Sequence, residues 1–102
     1  MSRFTEAFVG YNKNKKGKRI WCFATTEHNL IQDAIQRILF DRTYDYGYEV
    51  LTLKEIKSQY ALYKPFICCF NDNVQQSLHE RFETLINNAT KQKAHLILFN
   101  MG

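Results

Sequence analysis

The chain has 102 residues and a mass of 12.1 kDa, the size of one domain, with 45% hydrophobic and 24% charged residues. That is too apolar for intrinsic disorder, and one Pro and four Gly exclude collagen-like, linker-like and low-complexity classes. No apolar run approaches the ~18–20 residues of a membrane span, and Met1-Ser2-Arg3 leads into no secretory h-region. A cytoplasmic protein with no membrane partner is therefore expected.

The net charge of +4 is unevenly placed. Residues 3–19 hold six basic groups (Arg3, Lys13, Lys15, Lys16, Lys18, Arg19) against Glu6 alone, and the remaining eight basic groups face nine acids. One local positive feature on a near-neutral body is expected, not a globally basic surface.

In chain order, RFTEAFVGY (3–11) and KRIWCFAT (18–25) are aromatic and β-branched runs separated by NKNKKG, a hairpin signal with a protruding basic tip. Alternation is poor on both runs, so each strand should pack surface on both faces. Thr25 and Thr26 offer an N-cap. Leu30, Ile31, Ala34, Ile35, Ile38 and Leu39 then form a helical stripe, with Gln32, Asp33, Gln36 and Arg37 on the opposite side, and the helix should end near Arg42 or Thr43. YEVLT (48–52) reads as a strand. Thr52 and Glu55 form a capping-box pattern that predicts a short helix from Leu53 to about Leu62, the competing reading being a strand continued to Ile56. After Pro65, FICCF (66–70) has the length and continuous apolarity of a central strand covered on both faces. Asn71-Asp72-Asn73 caps a second long helix over about 73–90, with Val74, Leu78, Phe82, Leu85, Ile86 and Ala89 inward. AHLILF (94–99) closes the chain as a buried strand, and its link to FICCF has the length of a right-handed parallel crossover. The expected fold is α+β: a single globular domain over residues 1–102, with a five-stranded mixed sheet, two long helices and a short one.

Catalytic motifs are missing. Cys22, Cys68 and Cys69 lie in apolar runs without zinc or redox spacing and are expected as buried, reduced thiols. His28, His79 and His95 are not brought together by any spacing, and neither a nucleophile elbow nor a phosphate-cradling glycine loop is present. No catalytic residue, metal or cofactor is assigned. Two surface features remain. Lys13, Lys15, Lys16, Lys18 and Arg19 lie between Tyr11 and Trp21, a set suited to phosphates and unpaired bases or to an acidic protein surface. Tyr44, Tyr46 and Tyr48 alternate in a turn-prone segment, where rings offer interface area at low entropic cost.

A small chain without a reaction signature is read as a non-enzymatic binding protein that occludes a larger protein partner. A toxin or nuclease is the kind of partner expected, as for immunity proteins and phage-encoded inhibitors. Its basic charge departs from the acidic character usual in nuclease inhibitors. The alternative is a nucleic-acid-binding protein acting through the hairpin at 11–21, and a third reading is a small basic ribonuclease.

Overall fold

The computed structural model describes residues 3–12, 15–25, 29–44 and 46–102. In chain order they form β1 (Arg3–Asn12), β2 (Lys15–Thr25), α1 (Asn29–Phe40), β3 (Gly47–Thr52), α2 (Leu53–Leu62), α3 (Lys64–Ile67), α4 (Asp72–Lys91) and β4 (Leu96–Met101). The strands make a four-stranded sheet in the order β2-β1-β4-β3, with every pairing antiparallel. The architecture is α+β, but the expected five-stranded mixed sheet is wrong. FICCF is the reason. Pro65 sits in the first turn of α3, where its missing N–H costs nothing, and the run winds into a helical turn instead of a strand. Only Ile67 of α3 is buried. Phe66 and Phe70 meet edge to face at 5.1 Å. Without a strand there, the parallel crossover disappears, and after α4 the chain returns to the sheet as β4, an interior antiparallel strand between β1 and β3.

The helices lie on one face of the sheet. Thr5, Ala7, Trp21, Phe23, Ile97, Phe99 and Met101 point into that layer and are buried there. They meet Ile35, Ile38 and Leu39 of α1, Ile56 of α2 and Leu78, Phe82, Leu85 and Ala89 of α4. A bulge in β2 serves this packing: Ala7 pairs with Trp21 and Phe8 with Arg19, so Ile20 is the extra residue. The bulge lets Ile20 and Trp21, adjacent in sequence, both enter the core.

The capping box at Thr52 and Glu55 is formed in both directions, at 3.0 Å each way, and starts α2 at Leu53. Asn71 caps α4 through Val74 N–H at 3.0 Å. On α1 the polar side needs correction, because Gln32 and Gln36 are buried and not solvated. The Gln32 amide accepts from the Thr5 hydroxyl at 2.8 Å and donates to the carbonyls of Phe23 and Arg3, stitching α1 to both strands of the hairpin. The Gln36 oxygen accepts from Tyr44 N–H at 2.7 Å. Leu30, expected inside, is 57% exposed. The proposed cap at Thr26, like His28, lies outside the described residues.

Candidate functional site

Strand alternation sends Phe4, Glu6, Phe8 and Gly10 of β1 to the face opposite the helices. The register then lays out that face in rows: Tyr48–Asn100–Glu6–Cys22, Val50–Leu98–Phe8–Arg19 and Thr52–Leu96–Gly10–Lys16. Among the described residues no helix covers it. Its centre is apolar, with Phe4, Phe8, Val50 and Leu96 half-buried. Leu98 is more enclosed, because its methyl leans over Gly10: a Cβ at that glycine would lie 2.1 Å from Leu98 Cδ1. The charges sit toward β2. Arg19 bridges to Glu6 at 3.2 Å, Asn100 donates to the same carboxylate at 3.4 Å, and the Lys16 ammonium stands 4.5 Å from the centre of the Phe8 ring.

A second feature wraps round the β2 end of the molecule. Lys18 and Arg19 face Asn88 and Lys91 of α4 and its C-cap Gln92 across a groove of about 220 Å³, held closed at its base by Asn88 donating to the Ile20 carbonyl at 2.7 Å. An adjoining hollow of about 350 Å³ shares Lys18 and Gln92 with it and adds Tyr11, Lys93 and His95. The Lys15 ammonium lies 5.7 Å from the centre of the Tyr11 ring.

Lys93 is placed there by a strained helix end. Lys93 N–H bonds the Thr90 carbonyl at 3.0 Å and Ala94 N–H the Ala89 carbonyl at 2.9 Å, the pattern of a Schellman cap. The left-handed position of that cap, usually glycine, is Lys93 with φ 53°. The opposite edge of the sheet has another character. There a cavity of about 370 Å³ between α1, β3 and α2 is lined by Asp41, Glu49 and Glu55, with Lys54.

The sequence-predicted residues are divided by this geometry. Lys15, Lys16, Lys18 and Arg19 are exposed and lie within the strand β2, not on a loop tip, while Lys13 is outside the described residues. Lys16 and Arg19 border the open face, and Lys18 and Arg19 line the groove. Tyr46 and Tyr48 are 81% and 70% exposed, but Tyr44 folds back. Its ring meets Phe40 edge to face and its hydroxyl donates to Glu49, and burial together with that carboxylate pushes its pKa up. The tyrosine set is therefore not one surface. The cysteines are free and all exposed, against expectation, because Cys68 and Cys69 sit on a surface turn and Cys22 on the open face. His79 Nδ1 is 2.5 Å from the Tyr60 hydroxyl, and His95 is exposed at the start of β4.

Sequence reasoning missed Lys91 and Lys93 as partners of the hairpin, since nothing in sequence links residues 91–93 to 18. It also passed over Phe4 and Phe8, although the poor alternation of the first strand was their signal. Among the described residues no metal-binding group of three side chains converges, and no helix is long and apolar enough to cross a membrane. No protein-family model, curated protein or solved structure matches the chain.

Proposed function

We propose that the protein binds nucleic acid through the groove between β2 and α4. The observation that carries this reading is the convergence of Lys18 and Arg19 with Lys91 across one groove, continued by Lys93 beside Tyr11. Phosphates repeat along a strand, so a row of cations drawn from two chain segments matches them better than a point contact would. Flexible Lys side chains supply charge without demanding a sequence. Gln92 and Asn88 add neutral donors at the groove floor.

Fluorescence anisotropy with a labelled 20-nucleotide oligonucleotide tests this. Affinity should fall steeply between 50 and 200 mM salt. Changing Lys18, Lys91 and Lys93 together to Gln should weaken binding on the order of 10–100-fold at 0.15 M salt and flatten the salt slope by about 0.7–0.9 per lost cation. Absence of salt-sensitive binding to RNA and DNA alike would overturn the reading.

A second reading, occlusion of a larger protein, is favoured by Tyr46 and Tyr48, whose rings stand in solvent at the β3 edge. Such rings suit an interface anchor with cations at its rim. In that case binding to the partner would fall on the order of 1–4 kcal/mol for each Tyr→Ala change and respond weakly to salt.

A further inference from the structure

The groove explains affinity for phosphates but leaves the helix-free face without a role, and that face is unlike ordinary solvated sheet. It presents Phe8, Phe4 and, at its far edge, Tyr48, around the apolar side chains of Val50 and Leu98. Its bordering strand is the same β2 that forms one wall of the groove. Between them the β2 residues are shared out: Lys16 on the open face, Lys18 in the groove, and Arg19 at the boundary, lining the groove while its guanidinium pairs with Glu6 on the open face.

We infer that the ligand is a single strand, whose backbone follows the groove, crosses the β2 edge and lays unpaired bases on the open face with Phe8 as the principal stacking platform. This rests on the groove reading and names its substrate class. Three properties favour unpaired bases over another occupant. The Phe8 ring already carries a cation on its face, the Lys16 ammonium at 4.5 Å. A base can take that place on the ring while the Lys16 side chain swings from it to a phosphate, so only one flexible side chain needs to move. Cations border the apolar patch on the side continuous with the groove, and the carboxylate on the face, Glu6, is already paired with Arg19. Finally, a duplex hides its bases, so the aromatic surface would be idle against one, whereas every unpaired base has a π-face to offer.

The test compares a 20-nucleotide single strand carrying 2-aminopurine with the same sequence as a duplex, each titrated with the full-length protein. The expected result is tighter binding of the single strand and a change in 2-aminopurine emission on stacking. Phe8→Leu, which keeps the apolar volume, should remove most of that change. It should lower the single-strand to duplex affinity ratio on the order of 5–150-fold, the worth of one stacked base. Tyr48→Ser, at an exposed edge where folding is not at stake, should lower the ratio less. Equal affinity for the two forms, or a ratio unmoved by both variants, overturns this inference and leaves the groove reading standing. Failure to bind either form overturns both. A stable dimer in light scattering that Tyr48→Ser dissolves assigns the face to a second copy and also overturns it.

Discussion

The two faces of one sheet differ in how their side chains are covered. On the covered face Ala7, Ile97 and Phe99 are fully enclosed by three helices; Thr5 and Gln32 enter with them and are satisfied, Thr5 by Gln32 and Gln32 by two strand carbonyls, whereas the buried Trp21 indole N–H has no hydrogen-bond partner among the described residues. On the other face the same sheet carries Phe4, Phe8 and Val50 only partly shielded and Tyr48 exposed, interrupted by the Glu6–Arg19 pair and by Lys16 over an aromatic ring. A strand whose successive side chains are both apolar must be covered twice or be waiting for a partner, because half-buried aromatic surface left in water forfeits its burial energy. The difference teaches that the packed core lies on one side of β1 and that the proposed recognition surface lies on the other, one residue apart.

The sharpest way to break this comparison is to empty the covered side. Phe82→Ala or Ile35→Ala, both at fully buried positions, should cost about 2–5 kcal/mol in urea melts through lost burial and a cavity. Tyr48→Ser on the open side should stay within about 0.5 kcal/mol of the parent. Equal costs would erase the distinction between the faces.

A smaller effect is expected from Gln32→Leu, which keeps the volume but orphans the Thr5 hydroxyl and the Phe23 carbonyl. A loss of about 1–3 kcal/mol is predicted. An unchanged melt would mean that water replaces the amide and that α1 is held by its apolar stripe alone.

The smallest effect has the opposite sign. Lys93 holds a left-handed conformation that glycine adopts without strain, so Lys93→Gly should stabilise the fold by up to about 1 kcal/mol. The same change should weaken nucleic-acid binding and reduce its salt slope by about one cation. A variant that gains stability and keeps full affinity would remove Lys93 from the groove.

Much of the fold is legible from periodicity and caps. The stripe of α4 from Leu78 to Ala89, the reciprocal cap of Thr52 and Glu55 and the hairpin partners 3–11 and 18–25 follow from local physics, since a helix face or a capped turn is satisfied by residues a few positions apart. FICCF is not legible in this way, because five consecutive apolar residues fit a buried strand or a surface helical turn equally well. Only the position of Pro65 and the packing of Ile67 decide between them. Gln32 looks solvated in sequence for a related reason: its partners, Thr5 and the strand carbonyls, are chosen by how α1 crosses the hairpin.

The same division runs through the candidate site. By itself the sequence determined that charge is concentrated near residues 15–19 and that aromatics crowd the first strand, because composition and spacing are local properties. Tertiary structure alone decided that Lys91 joins Lys18 around the groove and Lys93 joins it in the adjoining hollow, that Tyr44 turns inward while Tyr48 stays in solvent, and that Phe8 lies on a face without a helix. Each of these depends on which elements meet across the sheet. That choice is made by the summed burial of the whole core, and no short stretch of residues contains it.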